Sequence, residues 1–356
     1  MTPVLDIAGR LVGAGHPVYV VAEMSANHNG DFDRAVEIVR AAAVAGADAV
    51  KIQTYTADTM TLDADQEAFR IGDGSLWSGE TLFELYSRAQ TPWDWFPKLR
   101  AIAHGSGIEL FSSPFDATAV DFLEDMDAPV YKIASFEIVD IPLLKKVAET
   151  GKPVIVSTGM ANQEEIDDAV AALRAGGAKA IALLRCTSAY PAEPQDMHLR
   201  TIPYLAERYG VVPGLSDHTM GSAAAVASVS LGGCIIEKHF TLSREDGGPD
   251  APFSMEPHEF AAMVLDVRQT ELALGRIQTE PLPTEAAHRA LRRSLFVVED
   301  VKAGDVFTEL NVRSIRPGAG LPPKHFWEVL GKKAARDIMR GTPLAWGDVL
   351  GYPSKF

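Results

Sequence analysis

Short β-rich runs alternate with helical patterns through the first 275 residues of this chain. Eight β-rich runs are visible, over residues 18–23, 49–53, 108–112, 130–133, 153–157, 180–184, 211–215 and 234–236. Helical patterns lie between or after them, over residues 33–45, 93–104, 117–126, 141–150, 164–175, 199–209, 223–231 and 257–274. Alternating strands and helices favour a parallel sheet, and eight units over about 250 residues predict an α/β protein of the (β/α)8 TIM-barrel class.

In a barrel of this kind the active site is built from the loops at the carboxyl ends of the strands. Polar residues end most of the predicted strands: Glu23, Lys51, Gln53, Ser112, Ser113, Lys132, Ser135, Ser157, Arg185, Ser216, His218, Glu237 and His239. Burying a lysine is unfavourable unless it meets an anion. Lys51 and Lys132 each lie within an apolar run, so the sequence predicts an anion site; the alternative is that both side chains extend outward into solvent.

Two of these strand ends carry a histidine. His218 and His239 each follow a short apolar run, and the two runs are consecutive predicted strands. Taken alone, either histidine could be a hydrogen-bonded core residue. As a pair at one end of the barrel, two neutral imidazoles can hold a divalent metal and leave positions open for water and substrate.

The lysines, the hydroxyl groups and the histidine pair together predict a phosphorylated or carboxylated substrate beside a metal. Gly159 would allow the backbone to approach a phosphate closely. The sequence contains no GxGxxG or Walker-type loop, so nucleotide binding has no support. The 33 basic and 48 acidic residues give a net charge of −15, which argues against a nucleic-acid partner.

Two insertions follow predicted strands. Residues 64–94 form a long connection that carries Trp77, Trp93 and Trp95, and long loops are often functional. This insertion could be a substrate-facing lid or an aromatic cluster that packs under the loop. The second insertion, residues 243–257, follows the His239 strand, and Asp250 within it could reach the metal or a sugar hydroxyl.

The domain prediction places a barrel in residues 1–275, a proline-bearing linker in 276–289 and a small β-rich domain in 290–356. Cys186 and Cys234 lie in apolar runs without paired spacing, which is typical of buried thiols in a reducing cytoplasm. The start of the chain does not resemble a signal peptide, and the longest apolar tract is too short and polar to cross a membrane. We therefore expect a cytoplasmic protein without a membrane partner.

Ordered motifs along the chain resemble those of the sialic acid synthases. They include Glu23-Met24-Ser25-Ala26-Asn27-His28, Lys51-Ile52-Gln53-Thr54, Ser113-Pro114-Phe115-Asp116, Tyr131-Lys132-Ile133-Ala134-Ser135, Ser157-Thr158-Gly159-Met160, Ser216-Asp217-His218-Thr219 and Glu237-Lys238-His239-Phe240-Thr241. Arg316-Pro317-Gly318-Ala319-Gly320 is similar to the start of a motif in their antifreeze-like (SAF, β-clip type) domain. Within the family, residues 51–56 and the insertion around Leu76 to Trp95 are most similar to the pseudaminic acid synthases.

This resemblance implies a transferase that condenses phosphoenolpyruvate with the open-chain aldehyde of an amino sugar. In the pseudaminic branch that sugar is 2,4-diacetamido-2,4,6-trideoxy-L-altrose, and the products are a nine-carbon 2-keto acid and phosphate. The resemblance assigns phosphoenolpyruvate binding to Lys51, Gln53, Ser113, Lys132, Ser135, Ser157 and Ser216. It assigns the metal, Mn²⁺ with Mg²⁺ or Co²⁺ as alternatives, to His218 and His239.

Further roles are implied in the same way. Glu23 matches a glutamate that would manage protons, which makes it the third catalytic residue beside the two histidines. Sugar-contacting positions match Glu137, Tyr190, Asp250 and Arg316, and Arg316 would come from the partner chain of a domain-swapped homodimer. One departure is Ser188-Ala189 before Tyr190-Pro191, where N-acetylneuraminate-forming members often have asparagine.

Alternatives remain open at this stage. A synthase for N-acetylneuraminic or legionaminic acid would use the same chemistry on a different sugar. A non-catalytic carbohydrate- or ice-binding protein, acting through the C-terminal domain, is a different class. The complete lysine and histidine set argues against the non-catalytic reading.

Overall fold

The computed structural model describes residues 2–72 and 77–352, and the chain divides into two compact units, Met1–Gly275 and Arg276–Phe356. The first unit opens with an antiparallel hairpin of β1 (Val4–Ile7) and β2 (Arg10–Gly13). Eight parallel strands then close into a barrel: β3 (Tyr19–Glu23), β4 (Ala49–Thr54), β5 (Glu109–Pro114), β6 (Tyr131–Ile133), β7 (Val154–Ser157), β8 (Ile181–Cys186), β9 (Val212–Asp217) and β10 (Ile235–His239). Strand β10 pairs with β3, so the barrel prediction is confirmed.

Helices follow the strands around the outside of the barrel. They are α1 (Phe32–Val44), α2 (Ala57–Met60), α3 (Leu82–Ala89), α4 (Trp95–Gly105), α5 (Ala117–Asp125), α6 (Ile141–Glu149), α7 (Gln163–Gly176), α8 (Thr201–Tyr209), α9 (Ala223–Ser230) and α10 (Pro257–Leu274). Local sequence sets their ends. For example, Asn162 and Glu165 form a capping box at the start of α7, and Gly177 at φ 97° ends it, because glycine adopts the left-handed conformation easily.

The two faces of each barrel strand have different neighbours. Outward residues such as Val20 and Val50 join a cluster that includes the surrounding helices. Inward residues of β3, Tyr19 and Val21, belong to a separate apolar cluster inside the barrel. Since side chains on one strand face repeat every two residues, the next inward position is Glu23. The interior therefore changes from apolar to charged towards the carboxyl ends of the strands.

The hairpin β1–β2 contributes to the amino-terminal end of that interior cluster. Leu5, Ile7 and Val12 are buried and pack with Tyr19 and other inward barrel residues. Ala8 and Gly9 both have positive φ, as a two-residue hairpin turn requires. The sequence prediction did not include this hairpin.

The second unit is a small β-rich body. Its regular elements are α11 (Ala286–Arg289), β11 (Ser294–Val297), β12 (Val312–Ile315) and α12 (Phe326–Val329), and β11 pairs antiparallel with β12. Its own core is formed by Leu295, Val297, Val301, Phe307, Val312, Val329, Ala334, Ile338, Leu344 and Val349. Helix α11 falls within the segment that the sequence analysis predicts as a linker.

Across the described residues, 2–72 and 77–352, no helix is long and apolar enough to cross a membrane.

Candidate active site

A cavity of about 410 Å³ lies at the carboxyl ends of the barrel strands. Most of the predicted site residues line it: Glu23, Lys51, Gln53, Lys132, Ser135, Glu137, Ser157, Tyr190, Ser216, His218, His239 and Asp250. They come from strands that are far apart in sequence and adjacent in the barrel. The parallel topology thus brings together side chains that the sequence could only associate by their position at strand ends.

Two lysines meet two carboxylates at the floor of the cavity. Lys51 Nζ lies 2.5 Å from Glu23 Oε2 and 3.7 Å from Glu237 Oε1. Lys132 Nζ lies 3.3 Å from the same Glu237 oxygen. All four side chains are buried, so neither lysine extends into solvent. The interpretation of outward-extending lysines is therefore wrong.

This arrangement separates the acidities of the two glutamates. Burial raises the pKa of Glu23, and its single close lysine, Lys51, opposes that effect only partly. Burial would also raise the pKa of Glu237, but contact with both Lys132 and Lys51 outweighs it and lowers that pKa. Two carboxyl groups with opposite pKa shifts are suited to different roles: Glu237 as a fixed negative charge and Glu23 as a group that can carry a proton.

A chain of hydrogen bonds leads from Glu23 to the loop that follows β10. Gln53 Nε2 donates to Glu23 Oε1 at 3.0 Å and to Ser25 Oγ at 2.9 Å. Ser25 Oγ donates in turn to Asp250 Oδ2 at 2.5 Å, and the Ala26 amide donates to the same oxygen at 3.3 Å. Asp250, which burial gives a raised pKa, is therefore held at the cavity by the loop after β3.

The two histidine rings are neighbours in the cavity, in an edge-to-face contact with centroids 5.4 Å apart. His218 Nδ1 lies 2.8 Å from the Thr187 carbonyl oxygen and donates to it, so Nε2 is the ring nitrogen left for a metal. Burial would lower the pKa of His218, but the neighbouring Cys186 outweighs it and raises that pKa. His239 Nδ1 is buried and has no hydrogen-bond partner in residues 2–72 and 77–352. Burial, followed by the nearby His218, lowers the pKa of His239 well below its ordinary value, so the ring is neutral.

These features fit a divalent metal held by the two imidazoles, which a metal would bind in their neutral forms. Hydrogen bonding of one ring nitrogen to a carbonyl is the usual arrangement for a metal-binding histidine. The described residues contain no group of three or more histidine, cysteine, aspartate or glutamate side chains positioned to hold a metal. A metal held by two imidazoles would keep positions open for water and substrate, as in catalytic sites.

A buried ion pair lies beside both histidines on the outer side of their strands. Lys238 Nζ is 2.7 Å from Asp217 Oδ2, and it also donates to the Thr219 carbonyl at 2.6 Å. Asp217 Oδ1 accepts hydrogen bonds from the Thr219 amide and hydroxyl. Asp217 and Lys238 directly precede His218 and His239 in the chain. The pair therefore ties together the two strand ends that carry the histidines.

Serine hydroxyls and one glutamate complete the wall formed by β6 and β7. Ser157 Oγ is buried without a hydrogen-bond partner in the described part of the chain, so it is available to a ligand. Ser135 Oγ accepts from the Gly159 amide at 3.2 Å. A Cβ at Gly159 would lie closest to the hydroxyl of Ser188 and 2.7 Å from that of Ser135, so both hydroxyls would have to move to admit a side chain there. Burial raises the pKa of Glu137 to about 7.

The insertion after β4 forms another wall of the cavity. Residues from α3, together with Ile71 and Trp77, line it. Trp77 Nε1 donates to the Pro249 carbonyl at 3.1 Å, and its ring lies 6.1 Å from that of Tyr190. Trp93 and Trp95 instead pack against Phe122 and Phe32, outside the cavity. Part of the insertion thus faces the cavity, while Trp93 and Trp95 pack against rings of other elements. Leu76 lies outside the described residues.

Three strand-end residues singled out in the sequence, Ser112, Ser113 and Arg185, do not line the cavity. Ser113 lies behind Lys51 and accepts a hydrogen bond from its Nζ at 3.3 Å. Arg316 belongs to the second unit, where it is exposed. The structure adds roles for two residues: Ser25 in the hydrogen-bond chain, and Glu237, which the sequence placed only at a strand end, between the lysines. Glu237 was detectable in sequence, because it ends a predicted strand two residues before His239.

Comparison with known proteins agrees with this geometry. Residues 38–279 match the NeuB family, and residues 292–350 match the SAF domain. The pseudaminic acid synthase of Helicobacter pylori is 43% identical over 334 residues, which cover 94% of this chain and 98% of that protein. The N,N'-diacetyllegionaminic acid synthase of Legionella pneumophila is 34% identical over 94% of this chain and 95% of that one.

A solved structure leads to the same conclusion. The N-acetylneuraminic acid (sialic acid) synthetase of Leptospira borgpetersenii, determined in complex with citrate, aligns with a TM-score of 0.72 at 30% identity. The alignment covers 81% of this chain and 95% of that one. The resemblance to sialic acid synthases noted in the sequence is confirmed. This chain belongs to the NeuB family and carries a C-terminal SAF domain.

Proposed function

We propose that this chain is a pseudaminic acid synthase. It condenses phosphoenolpyruvate with 2,4-diacetamido-2,4,6-trideoxy-L-altrose, and it releases pseudaminic acid and phosphate. The observation that carries the proposal is the meeting of Lys51 and Lys132 with the pair His218 and His239 in one cavity, in a chain 43% identical to a pseudaminic acid synthase. Two buried cations suit a small substrate with carboxylate and phosphate groups.

Phosphoenolpyruvate would bind at the floor of the cavity. Burial lowers the pKa of Lys132, and a bound anion would favour its charged form. The hydroxyl of Ser157, which is buried and unpaired among the described residues, supplies a donor. The remaining contacts are assigned to Lys51, Gln53, Ser113, Ser135 and Ser216. Ser113 would act through Lys51, whose ammonium group it contacts.

His218 and His239 would hold the metal, and Mn²⁺ is the proposed ion, with Mg²⁺ or Co²⁺ as alternatives. When bound, the metal would polarise the sugar aldehyde and orient a water molecule. The ring of Tyr190 lies 4.4 Å from that of His218 and closes one side of this region. Tyr190, Glu137 and Asp250 are the proposed sugar contacts.

The reaction forms a carbon–carbon bond and breaks a carbon–oxygen bond. Carbon 3 of phosphoenolpyruvate attacks the aldehyde carbon, water adds at carbon 2, and the tetrahedral intermediate loses phosphate. Glu23 is the proposed proton carrier, because burial raises its pKa and Gln53 orients it. Glu237 would remain ionised and hold both lysines in place.

Three further parts of the sequence analysis remain proposals. Residues 1–275, 276–289 and 290–356 are the proposed domain, linker and SAF domain. The protein would act as a domain-swapped homodimer in which Arg316 of each chain contacts the sugar of its partner. A cytoplasmic location is proposed on the two cysteines, which are both buried and unpaired.

The test is release of phosphate from phosphoenolpyruvate in the presence of Mn²⁺. The diacetamido-trideoxy-altrose and N-acetylmannosamine are offered in parallel, each with a chelator control. Release with the first sugar only supports the proposal. Release with N-acetylmannosamine only would retain the chemistry and contradict the substrate. Product analysis with the legionaminic precursor tests the alternative suggested by the L. pneumophila relative.

A further inference from the structure

One wall of the cavity differs from all the others in its chemistry. Its side chains are Leu82, Leu85, Tyr86 and Ala89 of α3, together with Phe136 from the loop after β6. The same cavity is also lined by the lysines, carboxylates and histidines described above. A ligand that fills the cavity therefore meets both charged and apolar side chains.

The apolar wall is a regular feature of α3. Residues 82, 85, 86 and 89 are spaced as i, i+3, i+4 and i+7, so they lie on one face of the helix. Thr81 and Glu84 form a reciprocal capping box at its start, with Thr81 N to Glu84 Oε2 at 2.9 Å and Glu84 N to Thr81 Oγ1 at 3.2 Å. Capping of this kind holds the short helix in place.

Such a wall discriminates between substituents on a bound sugar. A hydroxyl group placed against the side chains of Leu82, Leu85 or Phe136 would lose its water without gaining a hydrogen bond from them, which is unfavourable. A methyl group at the same place would instead bury apolar surface on both sides. Tyr86 is the residue of this wall that carries a polar group, its phenol oxygen. Phe136 exposes 61% of its surface although it lines the cavity, so an apolar ligand group could cover it.

We infer that the face of α3 formed by Leu82, Leu85 and Tyr86, together with Phe136, binds the methyl-bearing substituents of the sugar and selects for them. This inference rests on the proposed function and deepens it. The methyl group can come from the 6-deoxy carbon or from an acetamido group of the same sugar. Both sources have the same chemistry, and substrate analogues separate them.

The experiment uses the full-length chain with Mn²⁺ and phosphoenolpyruvate and measures kcat/KM for three sugars. The first is the diacetamido-trideoxy-altrose, the second its 6-hydroxy analogue, and the third its analogue without the 4-N-acetyl group. Loss of one apolar group from a complementary pocket typically lowers kcat/KM by roughly 10- to 200-fold. We expect a loss of that size for at least one analogue, and the analogue affected identifies the group that faces the wall.

A pair of variants on α3 tests whether the wall causes the preference. Leu82→Asn keeps a similar volume and places an amide in the wall, and it should reduce the preference for the methyl-bearing sugar about 10-fold. Phe83→Asn removes an apolar side chain from the same helix at a position that does not line the cavity, and it should keep the original preference. The KM for phosphoenolpyruvate reports on folding of the site and should change little in either variant.

Several outcomes would overturn the inference. They are equal kcat/KM for all three sugars, an unchanged preference in Leu82→Asn, or an equal loss of preference in Phe83→Asn. In these cases turnover of the altrose sugar would still support the proposed function. Phosphate release with N-acetylmannosamine and with none of the three sugars would instead overturn the proposed function, and this inference with it.

Discussion

The two ends of the barrel interior are built on the same strands and have opposite character. At the amino-terminal end, Tyr19 and Val21 of β3 pack with Leu5 and Ile7 of the hairpin in an apolar cluster. At the carboxyl end, the next inward residue of β3 is Glu23, which faces lysine. On β3, therefore, two residues separate Val21 of the stabilising core from Glu23 of a charged group whose burial is unfavourable.

Polar groups near the two ends also differ in how fully they are paired. Asp48, at the start of β4, is bound by Arg10 at 2.6 Å and by Arg268 at 2.9 Å, and it accepts the Val20 amide. In the cavity, by contrast, Ser157 Oγ and His239 Nδ1 have no partner among the described residues. Unpaired buried groups lower stability, and they are the groups that a ligand can bind. The comparison predicts that substitutions at the two ends separate activity from stability.

The largest expected effect is on activity at the carboxyl end. His239→Ala should reduce phosphate release by roughly 10³-fold, equivalent to about 4 kcal/mol, because the proposed metal site loses one of its two ligands. Thermal unfolding should change little, since the imidazole Nδ1 makes no hydrogen bond within the described residues. His258→Ala, at an exposed histidine on α10, is the matched control and should behave like the unaltered chain. Full activity of chelator-treated His239→Ala would contradict the metal assignment.

The fold was largely predictable because its pattern is local. Each barrel strand is a short apolar run that ends in polar residues, and helical spacing follows, so alternation alone indicated the barrel. The hairpin β1–β2 was missed because its two four-residue strands carry only a weak alternation. Helix α3 was treated as part of a long connection, although its capping residues Thr81 and Glu84 and the spacing of its apolar residues were signals for it.

The site was predictable as a set of residue types and less so as a set of contacts. The sequence allowed selection of four residues, Lys51, Lys132, His218 and His239. Burying a charged or metal-binding side chain at a strand end is unfavourable unless it binds a partner or ligand. The pairing of the lysines with carboxylates could not be predicted from the sequence. Glu237 contacts both lysines, and those distances depend on how the strands close into the barrel. The Asp217–Lys238 pair lies on the outer strand face, where sequence pattern predicts apolar residues.

The second-largest expected effect is on stability, and it comes from breaking the ion pair between Asp217 and Lys238. Asp217→Asn leaves Lys238 buried without a counter-charge, and loss of one partner of a buried pair typically costs about 3–5 kcal/mol. The double variant Asp217→Asn/Lys238→Met removes the uncompensated charge and should recover much of that loss. Denaturant unfolding of both variants checks this. A double variant no more stable than Asp217→Asn would show that the lysine makes no unfavourable contribution.

At the amino-terminal end the order of effects should reverse. Leu5→Ala removes a fully buried side chain of the hairpin and should lower the free energy of unfolding by about 2–5 kcal/mol. The kcat of the folded protein should remain near its original value, because Leu5 belongs to the apolar cluster and does not line the cavity. Leu11→Ala is the control, since that leucine of the same hairpin is 46% exposed and should change stability by less than about 0.5 kcal/mol. Equal losses of unfolding free energy in the two variants would contradict the assignment of Leu5 to the core.

The smallest expected effect is a pH-dependent one at the cavity. Burial raises the pKa of Glu137 from 4.5 to about 7, although Lys132 opposes this shift and Asp140 adds to it. The folded chain then binds this proton more tightly than the unfolded chain does, so the stability contribution of the protonated group is complete below pH 4.5 and is lost as the pH rises through 7. Glu137→Gln removes the ionisation and should stabilise the chain by roughly 1–2 kcal/mol at pH 8, a value reduced for partial exposure of the side chain.

This difference between Glu137→Gln and the unaltered chain should shrink towards pH 5, where the carboxyl group is protonated in the folded state. Glu207→Gln, at an exposed glutamate on α8, changes the same functional group outside the cavity and is the matched control. Urea unfolding of the three proteins at pH 5 and pH 8 measures both effects. A pH-independent difference for Glu137→Gln would mean that this carboxyl group is solvated like those on the surface. The contrast between the ends of the barrel would then depend on the lysine cluster and the histidines alone.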